Sequence, residues 1–280
     1  MNLLQLEPGE NVNTVIPLAE GLAGAGQFLF MVTRNGTVKK TPVAEFANIR
    51  ASGLKAIKLE EGDELISALL TDGECDILVG TRRGQALRFH ERHVRSMHRA
   101  SSGVRGIRLR GEDTVVEAVI VDEDAEMLCI TERGCGKRVE FSEFPSKKRG
   151  GLGIKALKVT EKTGVLVALR PVFDLNDVML ISSDGTIIRI AAADVSTLSR
   201  IAQGVRVMRL REGDSVVAVE VAERGEADEV ELAELPEDTG EFDTSGEAEA
   251  EDADETDDNE ESEDVEEEDE TSDDESDDGE

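Results

Sequence analysis

Lysine and arginine side chains recur at matching positions in a motif that this sequence repeats four times. The motif is a turn around a glycine that leads into a short strand-like stretch, and the turn glycines are 48, 50 and 51 residues apart. Ammonium and guanidinium groups donate charge-assisted hydrogen bonds to phosphate oxygens, so their recurrence indicates a polyanion-binding function. The bases that follow each turn by three or four residues are Lys39, Lys40, Arg88, Lys137, Arg138 and Arg189.

A second set of bases marks a stretch further along each copy, which begins with Gly53, Gly103, Gly153 or Gly204. Strand side chains alternate between two faces, so bases three apart should point opposite ways unless a bulge intervenes. The spacing alone leaves open which base faces solvent. A single such base is most simply a solvated surface residue, whereas the recurrence favours a ring of positive charge. The pairs are Lys55 and Lys58, Arg105 and Arg108, Lys155 and Lys158, and Arg206 and Arg209; the first member of each is a candidate phosphate ligand.

Two loops between predicted strands carry further bases. The glycines after the second group would let the backbone approach a phosphate closely, although a mobile charged loop is an equally good interpretation. His90 and His93 lie near the first group, but no third ligand completes a metal site there. The candidate phosphate-contacting bases in these loops are Arg92, Arg95, Lys147, Lys148 and Arg149.

Turn residues and apolar runs predict the strands that would carry these bases. Asn35-Gly36, between an apolar run and a β-branched run, is a strong hairpin signal because glycine can adopt a positive φ. Four short strands in each copy of about fifty residues predict an all-β, propeller-like fold of about four four-stranded blades. In the first copy these strands are Phe28–Val32, Val38–Thr41, Leu54–Leu59 and Glu64–Leu70.

Charge divides the chain into two parts. Residues 224–280 hold 32 acidic residues and one arginine, a net charge of −31 out of −32 for the whole chain. With almost no large apolar residues, this part is predicted to be a disordered acidic tail. Residues 1–223 are nearly neutral and form the predicted bladed domain. It would consist of a partial blade at 1–20 and repeats at about 28–74, 76–124, 126–176 and 178–223.

No pattern in the sequence points to catalysis or to a membrane. The phosphate loop GxxxxGK[ST], the GxSxG elbow and HExxH are absent, and there is no tyrosine to act as a nucleophile. We therefore expect no catalytic, cofactor or metal site in this chain. Three cysteines without a CxxC pair fit a reducing compartment. Without a signal peptide pattern or an apolar span, a cytoplasmic location is expected.

The repeats resemble the C-terminal domain of the DNA gyrase A subunit over roughly residues 1–223. The resemblance is carried by four hairpins in phase with four Gly-Val-(Lys/Arg)-x-Ile-(Lys/Arg)-Leu-like stretches. It implies a β-pinwheel, in which neighbouring blades exchange strands and double-stranded DNA wraps around a basic outer edge. It also implies a heterotetramer that includes the A subunit's cleavage core together with the B subunit of gyrase. That bacterial enzyme introduces negative supercoils, with ATP and Mg²⁺ bound outside the present chain, and an acidic C-terminal tail recurs in the family.

The sequence departs from the family at its start, where the cleavage core and the first blade would stand. We therefore expect a fragment of a larger polypeptide, with an incomplete ring. The family's box motif, Gln-Arg-Arg-Gly-Gly-Lys-Gly, has only a related loop here, at 147–153. The C-terminal domain of the topoisomerase IV A subunit is the nearest alternative. A propeller-like protein-interaction scaffold, with merely solvated bases, is the alternative from another class.

Overall fold

The computed structural model describes residues 16, 26–48 and 53–224, within the first of two compact units, Met1–Glu234 and Leu235–Glu280. The predicted partial blade, apart from residue 16, and the acidic tail beyond residue 224 lie outside the described residues. The described strands are β1 Phe28–Thr33, β2 Thr37–Pro42, β3 Leu65–Thr71, β4 Asp76–Thr81, β5 Gln85–His90, β6 Val104–Arg105, β7 Val115–Ile120, β8 Glu126–Thr131, β9 Cys135–Glu140, β10 Ile154–Lys155, β11 Leu166–Val172, β12 Asn176–Ser182, β13 Ile187–Ala191, β14 Val205–Arg206 and β15 Val216–Glu223. Short 3₁₀ segments follow four of them, at Val43–Phe46, Glu91–His93, Phe141–Glu143 and Ala192–Asp194.

Each repeat begins with the predicted hairpin. In the first repeat the N–H of Gly36 donates to the Thr33 carbonyl at 3.0 Å, and Gly36 has a φ of +83°. The Thr33 hydroxyl accepts from the N–H of Thr37 at 3.2 Å, which fixes the start of β2. A carboxylate from further along the repeat completes the turn, because Asp63 Oδ1 accepts from the N–H of Asn35 at 2.9 Å. The hairpin predicted from Asn35-Gly36 is therefore confirmed.

The sheets are built by an exchange of strands between neighbouring repeats. In the first three sheets the hairpin lies in the middle, and the last strand of the same repeat pairs on one side. A two-residue strand from the following repeat pairs on the other side, giving the orders β3-β1-β2-β6, β10-β5-β4-β7 and β11-β8-β9-β14. This arrangement confirms the expected all-β pinwheel of propeller-like blades.

The order of the strands in each sheet separates an inner edge from an outer edge. The strands β3, β7, β11 and β15 contact one another from blade to blade, so they form the inner edges. The two-residue strands β6, β10 and β14 lie at the opposite side of each sheet. Positions equivalent in sequence therefore recur along one perimeter, as radial stacking requires.

The apolar core lies between blades rather than within one repeat. Phe30 of the first blade and Phe89 of the second are both fully buried, with ring centroids 6.3 Å apart. Val94 and Ile107 of the second repeat join the same cluster. Each blade thus covers the face of its neighbour, and burial of these side chains holds the blades together.

One predicted strand is wrong in its extent. Leu54–Leu59 has no regular secondary structure, and its counterparts are two residues long rather than six. In later repeats this segment pairs with the hairpin of the preceding repeat, and the described residues contain no hairpin before β1. The fourth described sheet, β13-β12-β15, has three strands because the described residues contain no following repeat that could supply a fourth.

Candidate nucleic-acid interface

Both bases of each of the four Lys/Arg pairs are exposed, and in the second, third and fourth repeats the pair begins at the outer-edge strand. In the second repeat the N–H groups of Gly106 and Ile107 both donate to the Gly36 carbonyl, at 2.8 and 3.2 Å. This bulge breaks the strand alternation and turns both bases outward, which resolves the question that the spacing left open. We call segments 55–58, 105–108, 155–158 and 206–209 the rim segments. Their exposed bases are Lys55, Lys58, Arg105, Arg108, Lys155, Lys158, Arg206 and Arg209.

Lys39, by contrast, is fully buried, although the sequence predicted it to be a phosphate-binding base on the perimeter. Its Nζ atom donates to the carbonyl oxygens of Ala56, Arg99 and Ser101 at 2.7, 2.5 and 3.0 Å. Burial lowers the pKa of this amine below its usual value. The side chain therefore organises the backbone of two loops beneath the surface.

Lys137 occupies the equivalent position in the third repeat and is also fully buried. Its Nζ atom donates to the carbonyl oxygens of Ser199 and Arg200 at 2.8 and 2.7 Å. Burial lowers the pKa of Lys137 to about 8. The second repeat has Leu87 at this position, which is buried among apolar side chains.

Arg88 stands at the next position in the second repeat and makes ion pairs within the protein. Its Nε atom lies 2.7 Å from Asp76 Oδ2, and its guanidinium also pairs with Glu123. Its Nη1 atom donates to the Phe141 carbonyl of the following repeat at 3.3 Å. Only 13% of the side chain is exposed, so the charge joins two blades rather than facing solvent.

The third and fourth repeats use equivalent arginines in a similar way. Arg138 Nη1 lies 2.7 Å from Glu126 Oε2, and its Nε donates to the Val195 carbonyl at 2.7 Å. Arg189 Nε lies 2.6 Å from Asp177 Oδ2, and 44% of the Arg189 side chain is exposed. In the second, third and fourth repeats, an acid near the start of the first strand (Asp76, Glu126 or Asp177) was the sequence signal for these pairs.

Lys40 completes this series in the first repeat. Its Nζ atom donates to the Glu91 carbonyl at 3.2 Å and lies 4.9 Å from the centre of the Phe28 ring. The predicted positions of five bases on an exposed perimeter are therefore corrected, because packing between blades buries their charged groups. These bases are Lys39, Lys40, Arg88, Lys137 and Arg138.

The two basic loops contribute further surface charge next to the rim segments. Arg149 differs from the other predicted loop bases because its guanidinium is bound to the protein. Its Nε and Nη1 atoms donate to the carbonyls of His93 and Arg105 at 2.9 and 2.8 Å. The remaining loop bases are exposed; they are Arg92, Arg95, Lys147 and Lys148.

A cavity beside the outer edge recurs from blade to blade. In the first blade it has a volume of about 610 Å³ and is lined by the hairpin turn and by Lys58 and Arg108. Smaller cavities of about 90 and 180 Å³ occur at matching places, lined by Arg108 and by Arg209 respectively. The second base of each rim pair was not in the predicted set, although its recurrence was the available signal.

One cluster of metal-ligating side chains occurs among the described residues. Donor atoms of Asp72, Cys75 and Glu91 lie within 4.8 Å of one another. The Glu91 carboxylate already accepts from the Thr71 hydroxyl at 2.8 Å and from the N–H of Gly73 at 3.0 Å. These contacts give the acid a structural role in closing the loop before β4.

The exchange of strands between repeats and the exposed bases along the outer edge define a β-pinwheel domain, and comparison with known families agrees with that fold. The family model of the DNA gyrase C-terminal domain, a beta-propeller, matches residues 27–72, 76–122, 125–172 and 176–223. The chain belongs to this family. In the part of the chain that the structure describes, no helix is long and apolar enough to cross a membrane.

Curated relatives are DNA gyrase A subunits. That of Halalkalibacterium halodurans is 56% identical over 219 residues, which cover 78% of this chain and 26% of the relative. That of Streptococcus pneumoniae serotype 4 is 52% identical over 248 residues, covering 89% and 29%. The chain therefore spans less than a third of the length of either relative.

Solved structures with the same fold come from two enzymes. The C-terminal domain of DNA topoisomerase IV superposes with a TM-score of 0.74 at 25% identity, over 82% of this chain and 72% of that one. The DNA gyrase A C-terminal domain superposes with a TM-score of 0.65 at 28% identity, over 71% and 67%.

Proposed function

We propose that this chain binds double-stranded DNA along its rim segments and bends it around the outer edge. The observation that carries the proposal is the exposure of two bases at equivalent places in all four repeats. Side chains at equivalent places on successive blades follow one curved path, which a stiff duplex can match only by bending. Contacts of this kind bind phosphates irrespective of base sequence.

Within a whole enzyme, this binding would support ATP-dependent negative supercoiling by a DNA gyrase. Wrapping fixes the sign of the crossing that a type II topoisomerase then acts on. The partners would be the cleavage core of the A subunit together with the gyrase B subunit, with ATP and Mg²⁺ bound by those parts. The enzyme would act in the bacterial cytoplasm on the chromosome.

A topoisomerase IV role is the second candidate, since that enzyme's C-terminal domain superposes well on this chain. The sequence identities of 56% and 52% to gyrase A subunits favour gyrase. Joining the chain to the cleavage core of a gyrase A subunit, followed by assay with the matching B subunit, separates the two. Net negative supercoiling of relaxed plasmid supports gyrase, whereas decatenation without supercoiling supports topoisomerase IV.

The direct test of DNA binding replaces Arg105, Lys155 and Arg206 together by glutamine. These bases lie on the outer-edge strands of three blades. Affinity for unrelated duplexes should fall uniformly, and the slope of log K against log salt should become shallower by about 0.9 for each phosphate that is no longer bound. A control variant replaces the exposed bases Arg34, Arg82 and Lys162, outside the rim segments. Equal affinities and slopes for the two variants would overturn the proposal and leave a protein-interaction scaffold.

A further inference from the structure

Three arginines at equivalent positions connect the rim segments to the next repeat. Each lies fifteen residues after a turn glycine, at Arg99, Arg149 and Arg200. In each case Nη1 donates to the main-chain carbonyl of the first rim base in the preceding repeat. The donor–acceptor pairs are Arg99 with Lys55 at 3.4 Å, Arg149 with Arg105 at 2.8 Å and Arg200 with Lys155 at 3.0 Å.

A backbone hydrogen bond repeats beside each arginine contact. The N–H of the second rim base donates to a loop carbonyl two residues beyond the arginine. These pairs are Lys58 with Ser101 at 3.1 Å, Arg108 with Gly151 at 2.8 Å and Lys158 with Ala202 at 3.4 Å. Three of the four rim segments, 55–58, 105–108 and 155–158, are therefore held at both of their bases by the loop of the following repeat.

Further hydrogen bonds fix the positions of these three arginines. The carbonyls of Arg99 and Arg200 accept from the buried ammonium groups of Lys39 and Lys137, at 2.5 and 2.7 Å. Arg149 has no such lysine beneath it, and its Nε instead donates to the His93 carbonyl at 2.9 Å. A planar guanidinium with several N–H groups can satisfy two carbonyls at once, which a lysine ammonium on a flexible stem does less well.

We propose that Arg99, Arg149 and Arg200 are positioning residues, which fix the distance and orientation between successive rim segments by binding their main-chain carbonyls. They would then affect DNA binding indirectly, by setting the positions of the lysine and arginine side chains in the rim segments. The part of this inference that concerns DNA rests on the proposed function. The competing role is direct phosphate binding, which the sequence alone suggested for Arg149.

The first experiment needs no DNA and uses the full chain. Arg149→Met removes the donor but keeps a long side chain, whereas Arg105→Met leaves the acceptor in place because that acceptor is a main-chain carbonyl. Lys148→Met removes an exposed neighbouring charge. Native-state hydrogen exchange of the amides in 106–108 should be about tenfold faster or more in Arg149→Met, since a charge-assisted hydrogen bond is lost. It should stay at the wild-type rate in the two controls.

Arg149→Lys separates guanidinium geometry from charge in the same experiment. We expect most of the faster exchange to persist in this variant. Unchanged exchange in Arg149→Met, with circular dichroism showing a folded domain, would overturn the proposal. Faster exchange throughout all blades would also overturn it, because the arginine would then support general stability rather than one rim segment.

A second experiment measures DNA bending and the salt dependence of binding. Arg105→Met should flatten the slope of log K against log salt by about 0.9, as expected when one phosphate is no longer bound. Arg149→Met should keep a slope closer to wild type but reduce the bend, measured by end-to-end energy transfer on a labelled duplex. A slope change equal to that of Arg105→Met, without faster exchange, would make Arg149 a phosphate ligand. If no variant or wild-type chain binds DNA, the proposed function fails while the exchange result stands.

Discussion

Arg88 Nε lies 2.7 Å from the Asp76 carboxylate, and the two side chains are only 13% and 16% exposed. The pair joins the start of β4 to the end of β5, and the same guanidinium reaches the Phe141 carbonyl of the next blade. A base that the repeat pattern offers to a phosphate is thus used to hold blades together.

Arg88→Met should lower the free energy of unfolding by about 2 kcal/mol or more, because the Asp76 carboxylate loses its partner at a largely buried site. Urea denaturation measures the change. Arg34→Met is the matched control, since the Arg34–Glu64 pair is about half exposed and should contribute about 0–1 kcal/mol. Similar losses in both variants would contradict a structural role that is specific to Arg88.

Lys137 should make the free energy of unfolding depend on pH in the alkaline range. Its pKa is lowered by burial from the usual 10.5 to about 8, so the unfolded chain binds more protons between these values. The contribution of Lys137 to stability therefore rises as the pH increases from about 8 to 10.5, is fully present above 10.5, and is lost as the pH falls back to about 8. Three neighbouring groups modify the pKa of Lys137 further: Cys129 and Glu143 raise it, and Arg200 lowers it.

Urea denaturation of the wild type and of Lys137→Met at pH 7 to 10.5 tests this dependence. The difference in unfolding free energy between the two should move in favour of the wild type across that window. Leu87→Met, at the equivalent position of the second repeat, controls for the new methionine. A difference that does not change with pH would contradict a lowered pKa at Lys137.

Gly84→Ala should be strongly destabilising. A Cβ at this position would lie 2.6 Å from the Leu157 carbonyl oxygen, and φ is +76°. Gly62→Ala is the matched control, because Gly62 has a φ of +78° but nothing within 4 Å of its Cβ position. Thermal unfolding should show a loss of about 1 kcal/mol for Gly62→Ala, from the positive φ alone, and a clearly larger loss for Gly84→Ala. Equal losses would mean that rim segment 155–158, which contains Leu157, is not packed against the turn at Gly84.

The acidic residues beyond the described part should compete with DNA for the rim segments. Residues 225–280 hold 32 acidic residues and no lysine or arginine, a net charge of −32, and tethering gives them an effective concentration on the order of millimolar. A chain that ends at Arg224 should therefore bind DNA more tightly at low salt, with a smaller advantage at higher salt. Arg224 is retained because it pairs with Asp177 at 2.8 Å.

A second variant keeps the length of this acidic part but replaces its Asp and Glu by Asn and Gln. It should bind DNA as tightly as the shortened chain if charge is the cause. Equal affinity of all three chains at low salt, in fluorescence titrations, would leave the acidic part without a role in binding.

Features that depend on local interactions could be predicted from the amino-acid sequence. The turn at Gly36 and its later copies, the hairpins and the repeat period follow from glycine's freedom at positive φ and from short apolar runs. The apolar residues ten positions after the later turn glycines, Val94, Phe144 and Val195, are buried, whereas Phe46 at the same place in the first repeat is only partly buried. Four copies in phase were enough to predict the class of fold.

Which lysine and arginine side chains face solvent depends on contacts between repeats. Lys39 and Arg105 are both bases in strand-like stretches, but one is buried beneath loops of the next repeat and the other lies on an edge strand. That difference arises because β6 pairs with β2, a strand from the preceding repeat, and because a bulge at Gly106 then turns the chain. Lys39 and the carbonyls that it binds in the next repeat are 60 and 62 residues apart. Neither such distant contacts nor a local bulge changes the repeat period of the sequence, so the burial of Lys39 between blades could not be predicted from that period.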